Sequence, residues 1–354
     1  MLSRSQVPLA PHTTLGLGGP AARFVTAHDE AELVAAVREA DAAGEPVLVL
    51  GGGSNLVVAD DGFAGTVVRV ATHGLAARRD GDDVLLTAQA GEDWDGLVAH
   101  CVAEGLAGTE ALSGVPGLVG ATPVQNVGAY GQDVAQTVTC VRAYDRRDGL
   151  VRELPAAACA FGYRHSAFKD DAGRWVVLAV TSRHATGGRG TPVRYAELAR
   201  GLDVPVGGTA PVEQVREVVL ALRRGKGMVV DRADPDSRSA GSFFTNPQVD
   251  EAGLASVAGR VRERLGDVEL PGHPDGGGRT KLSAAWLIDR AGFAKGHGDG
   301  PVGLSSKHVL ALVHRGGGTT GDLLAVAREV RDGVDAAFGV RLVPEPVLVG
   351  AIAL

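Results

Sequence analysis

The spacing of apolar residues along the first 70 positions alternates between strand and helix signals. A short strand is predicted over 22–26, and a helix follows it with Asp29 as N-cap and apolar residues three and four positions apart on one face. Gly44 ends this helix. The apolar run Val47–Leu50 then predicts a strand buried on both faces. The pattern is therefore a β-α-β unit that leads into the glycine-rich loop 51–55.

Short apolar runs separated by turns continue over residues 66–180 and predict further strands. Segment 204–208, rich in Pro and Gly, is interpreted as a linker. The last residues, 342–354, are strand-like, and we expect this strand to return to an earlier sheet. Four further helices are predicted at 94–104, 211–224, 283–291 and 322–338. With 354 residues, the chain exceeds what one hydrophobic core usually serves, so two or three domains are expected.

Composition and charge exclude several classes of protein. Hydrophobic residues make up 45% and charged residues 22%, as in ordinary globular proteins. The net charge of −7 comes from mixed signs without a basic run, so a nucleic-acid partner is not expected. No segment reaches the roughly 18 to 20 apolar residues of a membrane span, and no secretory signal is present, so we expect a cytoplasmic protein.

The cysteines and histidines predict neither a disulfide framework nor a metal site. The three cysteines, Cys101, Cys140 and Cys159, form no CxxC motif, and we expect them to be small buried apolar residues in a reducing compartment. The ten histidines are scattered without metal-ligand spacing, and no metal is expected.

The loop GGGSN at 51–55 is the first candidate for chemistry. Three glycines let backbone amides approach and surround a phosphate, to which Ser and Asn add polar contacts. The loop does not fit the dinucleotide fingerprint, because Leu56 stands where the third glycine should be and a strand follows. From composition alone, an ordinary turn and a phosphate site remain equal alternatives.

Residues 113–131 (SGVPGLVGATPVQNVGAYG) form a second candidate. This stretch is turn-rich and uncharged, which suits a flat aromatic cofactor laid against peptide groups; a buried loop is the alternative. Three single residues stand out elsewhere. Arg164, beside aromatic residues, is either a surface ion-pair partner or a fixed guanidinium for a carboxylate. Ser242 follows a glycine, as turn residues often do, and Glu345 is held between two prolines.

Taken in order, the motifs resemble the UDP-N-acetylenolpyruvoylglucosamine reductase family nearly end to end. The segments that carry the resemblance are HTTLGLGG, GGGSNLVV, EALSGVPGLVGATPVQNVGAYGQDV, FGYRHSAFK, RYAEL, AGSFFTNP, KLSAAWLID and VPEP. The resemblance implies an α+β fold with a two-part FAD-binding region of the vanillyl-alcohol-oxidase type and a separate α/β substrate-binding domain. The predicted domains are 1–72, joined by the returning strand 346–354, then 73–228 and 229–345.

The resemblance also implies a cofactor site. FAD is expected to bind noncovalently, because the glycine-rich loop has no histidine for attachment, and NADPH is the expected hydride donor. The cofactor-binding residues that it implies are Gly51, Gly52, Gly53, Ser54, Asn55, Leu56, Pro116, Gly117, Gly120, Ala121, Thr122, Pro123, Asn126, Gly128, Ala129 and Tyr130.

In this family, a hydride passes from flavin N5 to the enolpyruvyl group of a UDP-sugar. By resemblance, Arg164 binds the substrate carboxylate, Glu345 assists in polarising it, and Ser242 donates the proton. The residues expected at the sugar nucleotide are Tyr195, Lys226, Asn246 and His308. Tyr195 further marks a subgroup in which an extra loop folds over bound substrate.

Two alternatives to this function are kept open. One is a flavin oxidase or dehydrogenase of the same fold that acts on a sugar alcohol or lactone, although the covalent forms carry a histidine that this loop lacks. The other is a nucleotide-binding regulatory protein, which would not need Arg164, Ser242 and Glu345 together. The expected partners are small molecules, and the expected oligomeric state is a monomer.

Overall fold

The computed structural model describes residues 3–275 and 277–354. The strands are β1 (Ser3–Pro8), β2 (Pro20–Ala27), β3 (Val47–Leu50), β4 (Leu56–Val58), β5 (Phe63–Val70), β6 (Leu75–Asp80), β7 (Asp83–Gln89), β8 (Gly128–Ala129), β9 (Gln132–Asp133), β10 (Val138–Asp145), β11 (Leu150–Pro155), β12 (Trp175–Ala185), β13 (Gln248–Val249), β14 (Gly272–Pro274), β15 (Thr280–Leu282), β16 (Val302–Leu304), β17 (Leu312–His314) and β18 (Val347–Val349). The α-helices are α1 (Glu30–Ala42), α2 (Trp94–Ala103), α3 (Ala167–Asp170), α4 (Ala196–Gly201), α5 (Val212–Gly225), α6 (Glu251–Leu265), α7 (Ala284–Arg290) and α8 (Thr320–Phe338). Short 3-10 helices lie at Ala10–His12, Glu110–Leu112, Val119–Ala121, Val134–Gln136, Ala156–Cys159 and Pro235–Ser237. This mixture of strands and helices confirms the predicted α+β class.

The chain folds as two compact units. The first comprises Met1–Val7, Ala21–Gly53 and Ala64–Gly225, and the second comprises Pro8–Pro20, Ser54–Phe63 and Lys226–Leu354. The domain boundaries expected from sequence, at 72/73 and 228/229, stay predictions.

Two sheets form the framework of the first unit. One is antiparallel with five strands in the order β11-β10-β12-β7-β6. The other has the order β1-β2-β5-β3, and β3 pairs with β5 in parallel, with Val47 opposite Thr66. Helix α1 begins where predicted, because the Asp29 side chain accepts a hydrogen bond from the Glu32 amide. Its end at Gly44, which has a φ of 69°, is also as predicted.

The hydrophobic core of the second unit is built around its longest helix, α8. That helix begins with a capping box in which Thr319 and Asp322 bond reciprocally, and it ends at Gly339 in the left-handed conformation. Phe243, Phe244 and Phe338 are fully buried in this core. Strand β18 pairs in parallel with β4, and the two strands form a two-stranded sheet of their own. The C-terminal strand thus returns to an earlier strand without joining a sheet that exists apart from it, and its assignment to domain 1–72 stays a prediction.

Three expectations from the sequence are wrong in detail. Strand β3 forms, but it lies at the end of its sheet, and only Leu50 is fully buried, because an edge strand has a neighbour on one side only. Segment 204–208 is not a linker, because Val193 donates a backbone hydrogen bond to Gly208 and accepts one from Gly207 inside the first unit. Cys140 is only partly buried, and its thiol donates to Glu153, whereas Cys101 and Cys159 are buried.

Neither a membrane span nor a metal cluster is found among residues 3–275 and 277–354. No helix in these ranges is long and apolar enough to cross a membrane. The same ranges contain no group of three or more His, Cys, Asp and Glu side chains that could hold a metal ion.

Asp145, the last residue of β10, has a buried carboxylate whose contribution to stability can be measured. Its fully buried carboxylate accepts hydrogen bonds from the Arg174 side chain, the shortest being 2.6 Å, and from the Arg147 amide. The bonds from Arg174 hold the pKa of the Asp145 carboxyl below its ordinary value.

We predict that Asp145→Asn lowers the free energy of unfolding at neutral pH by about 2 kcal/mol, because it removes the charge of a buried carboxylate that accepts charge-assisted hydrogen bonds from the partly exposed Arg174. The carboxyl pKa is lower in the folded chain than its unfolded value of about 3.9, so this contribution is complete above that value and is lost as pH falls through the folded-state pKa. Urea unfolding of both proteins at a series of pH values measures the difference. A difference that stayed constant down to the acid limit would contradict the assignment.

Candidate active site

The first glycine loop leaves β3 at Gly51 and lies against the second glycine-rich stretch. A Cβ placed on Gly52 would stand 2.9 Å from the Cα of Gly117, closer than real side chains allow. Gly53 and Gly117 adopt φ values of 62° and 121°, which favour glycine. Two backbones without side chains therefore meet here, a contact that the sequence analysis did not predict. The next residues of the GGGSN motif, Ser54 and Asn55, belong to the second unit.

The second glycine-rich stretch is fastened to the start of α2 and to the strand before it. The Trp94 amide donates to the Gly117 carbonyl, and the Gly120 amide donates to the Ala90 carbonyl. A Cβ on Gly120 would lie 2.5 Å from that of Ala90, so only glycine fits. Thr122 is buried, and its hydroxyl donates to the Val119 carbonyl. Thr122 thus uses its side chain to hold the loop.

Three predicted site residues have backbone strain in the first unit. Asn126, Tyr130 and Arg164 adopt φ values of 47°, 50° and 52°, a region that residues other than glycine rarely occupy. Such conformations cost about 1–3 kcal/mol each and persist where the surroundings hold them, often at functional sites. The side chain of Asn126 holds this conformation: its NH2 group donates to the Gly162 carbonyl, and its oxygen accepts from the Ala135 backbone amide.

Arg164 lies on a tight turn in which Gly162 and His165 exchange backbone hydrogen bonds. Its guanidinium donates to the Gly128 carbonyl at 3.2 Å, and it packs over the Tyr163 ring. The predicted carboxylate-binding arginine is therefore next to the predicted flavin-binding stretch. The strained turn and the bond to the Gly128 carbonyl both contribute to the direction of its side chain.

Tyr130 and Tyr195 meet in the first unit. Tyr130 stands with Gly131 in the two-residue turn between β8 and β9, and both have positive φ, as a type I′ hairpin requires. The Tyr195 ring, 45% exposed at the start of α4, contacts the Tyr130 ring edge-on with centroids 5.4 Å apart. Burial of part of the ring, together with nearby Glu197, raises the pKa of Tyr195, so its phenol stays protonated at neutral pH.

The motifs that contain Ser242 and Glu345 lie side by side in the second unit. The Glu345 amide donates to the Phe243 carbonyl at 2.9 Å, and the Thr245 amide donates to the Val343 carbonyl at 3.0 Å. Phe243 is fully buried, which anchors the segment in the core. Two residues that the sequence places about a hundred positions apart are thus on paired extended segments.

Asn55 joins the same arrangement. Its backbone carbonyl accepts from the Val347 amide at 2.9 Å, and its side-chain amide approaches the Glu345 carbonyl at 3.4 Å. The glycine-loop motif therefore also braces the segment of the predicted catalytic glutamate. Asp60, which the sequence analysis missed, fixes the far end of β4 by accepting from the amides of Thr320 and Gly321 at the start of α8.

The other predicted substrate-binding residues, Asn246, Lys226 and His308, all belong to the second unit, and each lies beside a different set of local contacts. Asn246 accepts from the Ala284 amide and so caps α7. Lys226 precedes Gly227, which packs closely on Asp236, because a Cβ added to Gly227 would lie 2.9 Å from the Asp236 Cβ. His308 follows a turn that Asp236 holds by accepting from both the amide and the hydroxyl of Ser306. Asp236 was missed, because nothing in its local sequence indicates a partner 70 positions away.

These residues fit a bound dinucleotide in the first unit. The glycine loop at Gly51–Gly53 offers backbone without side chains, which suits a diphosphate. The second stretch, held rigidly at Gly117 and Gly120, offers uncharged backbone for a flat ring system. A side chain at Gly52 would collide with the backbone of Gly117 and push the two glycine-rich stretches apart.

Comparison with known proteins agrees with this geometry. A family model described as an FAD binding domain matches residues 21–155, and one described as UDP-N-acetylenolpyruvoylglucosamine reductase, C-terminal domain, matches residues 234–349. The UDP-N-acetylenolpyruvoylglucosamine reductase of Thermobifida fusca is 58% identical over 97% of this chain and 97% of its own length. That of Saccharopolyspora erythraea is 60% identical over 96% of this chain and 94% of its own length.

A solved structure shares the fold. The crystal structure of UDP-N-acetylenolpyruvylglucosamine reductase from Thermus caldophilus covers 99% of this chain and 100% of its own, with a TM-score of 0.66 at 24% sequence identity. At this identity, the likeness concerns the fold alone.

We predict that Gly52→Ala reduces the amount of FAD that copurifies with the protein and destabilises it by about 1–3 kcal/mol, because the new methyl group overpacks the contact with Gly117. The flavin-to-protein absorbance ratio and thermal unfolding measure both effects. Gly259→Ala is the matched control, since a Cβ there meets nothing within 4 Å and alanine favours its helix. Full flavin content and wild-type stability in Gly52→Ala would show that this approach is not required.

Proposed function

Because this chain belongs to the UDP-N-acetylenolpyruvoylglucosamine reductase family and is an FAD-dependent oxidoreductase, we propose that it uses NADPH to reduce UDP-N-acetylglucosamine enolpyruvate to UDP-N-acetylmuramate. The reaction serves peptidoglycan precursor synthesis. We further propose that FAD is held noncovalently and that the enzyme acts in the cytoplasm as a monomer. Bound FAD supplies a hydride, taken from NADPH, to the terminal carbon of the enolpyruvyl double bond.

Arg164 is proposed to bind the substrate carboxylate. As hydride arrives at one carbon, negative charge develops toward this carboxylate, and a fixed guanidinium stabilises that charge most when it needs no rearrangement. The strained turn at φ 52° and the bond to the Gly128 carbonyl support this role, since both fix the side chain in advance.

Ser242 is proposed to donate the proton to the carbon that carries the carboxylate, and Glu345 to polarise that carboxylate. A serine hydroxyl is a weak acid, so it needs precise orientation. The pairing of the Glu345 amide with the Phe243 carbonyl carries the proposal, because it sets the two segments side by side on a buried anchor. Asn55 supports the same segment through its contacts with Glu345 and Val347.

The residues proposed to contact the sugar nucleotide differ in the chemical group that each would offer. Lys226 supplies positive charge for a diphosphate, and a charge-assisted hydrogen bond of this kind is worth about 1.5–3 kcal/mol. Asn246 and His308 add polar contacts. Tyr195 is partly exposed and keeps its phenolic proton, as a donor to a phosphate oxygen must.

We predict that Ser242→Ala separates the two half-reactions. Reduction of the flavin by NADPH needs no proton from Ser242, so its rate should stay at the wild-type value. Reoxidation by the enolpyruvyl substrate should slow by about a hundred- to ten-thousandfold, the usual contribution of a positioned general acid. Stopped-flow absorbance of the flavin follows each step.

Ser256→Ala, on the exposed face of α6, controls for the loss of a serine hydroxyl in the same unit. Both half-reactions should keep wild-type rates in this variant. If Ser242→Ala reoxidised normally, the proton would come from another group. If wild-type reduced flavin were not reoxidised by the enolpyruvyl sugar nucleotide at all, the proposed function itself would be wrong.

A further inference from the structure

A buried carboxylate in the first unit lies outside the residues assigned above. Glu110 is 1% exposed and begins the 3-10 helix Glu110–Leu112. One carboxylate oxygen accepts from the Gly108 amide at 2.6 Å. The other accepts from the side-chain amide of Gln132 at 2.8 Å, and from both the amide and the hydroxyl of Thr191, at 2.7 and 3.0 Å. The described partners are all neutral donors.

Gln132 completes a closed network around this carboxylate. Its side-chain amide also donates to the Thr191 hydroxyl at 2.6 Å, and its side-chain oxygen accepts from the Ala111 amide at 2.7 Å. Gly190 lets the backbone come this close, because a Cβ there would lie 3.0 Å from a Glu110 carboxylate oxygen. Buried polar networks that are fully satisfied hold one geometry rigidly.

The network contacts the two segments that carry Tyr130 and Tyr195, whose rings touch each other. Gln132 follows Tyr130 by two residues in the β8–β9 hairpin, and Thr191 precedes Tyr195 by four. Between Thr191 and Tyr195, Val193 exchanges backbone hydrogen bonds with Gly207 and Gly208. The segment that leads to Tyr195 is therefore held on one side by the carboxylate and on the other by backbone pairing.

Stability alone is a weak reason for such an arrangement. Burying a carboxylate costs free energy unless several donors compensate it, and an apolar packing of similar volume often serves stability equally well. A charge-assisted network is better at setting position, because each of its bonds is directional. The two segments that it joins both end on aromatic rings that touch each other.

We propose that Glu110 is a positioning residue that, through Gln132 and Thr191, anchors the segment leading to Tyr195 beside the Tyr130 hairpin, so that Tyr195 can close over the bound sugar nucleotide. The proposal rests on the proposed function, in which Tyr195 contacts that substrate. Glu110 sets substrate affinity and takes no part in the chemistry of the flavin.

The test is Glu110→Gln, which keeps the volume but turns an NH2 group toward donors. The KM for the enolpyruvyl sugar nucleotide should rise about tenfold or more, as loss of charge-assisted bonds implies, while flavin reduction by NADPH and kcat stay within about twofold of wild type. Amide hydrogen exchange over residues 189–195 should accelerate. Asp145→Asn, another buried carboxylate of the same unit, is the control: it should lower stability without raising KM or exchange in that segment.

Thr191→Val is the second variant, in case Glu110→Gln fails to fold. It removes the hydroxyl but keeps the amide bond to Glu110, so a smaller rise in KM is expected with the same unchanged flavin reduction. Wild-type KM and wild-type exchange in a folded variant would overturn the proposal, as would a rise in KM of equal size in Asp145→Asn. If the wild-type protein did not turn over the sugar nucleotide, the proposed function would fail, and the exchange of residues 189–195 would still decide whether Glu110 holds the segment.

Discussion

Close approach of backbone to backbone is the constraint on which the rest of the first unit depends. Gly52 comes so near to Gly117 that a single methyl group on Gly52 would force them apart, and a methyl group on Gly120 would collide with Ala90 in the same way. The high glycine content of the chain, 51 residues, is explained at these positions by contact distance rather than by flexibility. A surface of bare peptide groups results, and such a surface suits a diphosphate and a flat ring system.

In the second unit, the constraint falls on the backbone beside Ser242, the proposed proton donor. Phe243 fixes the backbone beside Ser242 in the core, and its carbonyl accepts the amide of Glu345. Proline on both sides of Glu345 limits that segment further. The proposed proton donor thus depends on a hydrophobic anchor and a backbone bond. The proposed arginine depends instead on a strained turn at φ 52°, so rigidity is supplied locally in each case.

Local signals in the sequence predicted much of this. Capping by Asp29 and the end of its helix at Gly44 follow from chemistry within a few residues, and both are confirmed. The place of β3 at the end of its sheet was missed, because an apolar run does not reveal how many neighbours a strand has.

The same limit applies to the candidate site. The resemblance of the motifs to a known family predicted the residues of the candidate site. Hydrogen bonds between residues far apart in the chain, in contrast, had no signal in the sequence. Glu110 and Thr191 are 81 positions apart, and Asp60 and Thr320 are 260 apart. Such contacts form only when distant segments pack together in the folded chain, so they become visible only in the three-dimensional structure. The roles of Arg164, Ser242 and Glu345 stay proposals that this geometry supports.

The measurement that tests the account most directly is NADPH oxidation by the purified flavoprotein, with and without the enolpyruvyl sugar nucleotide, followed by mass spectrometry of the product. We expect rapid oxidation only when the sugar nucleotide is present, with one NADPH consumed for each product molecule that has gained two hydrogens. NADPH oxidation that ignores the sugar nucleotide and forms hydrogen peroxide from oxygen, with the sugar nucleotide recovered unchanged, would contradict it.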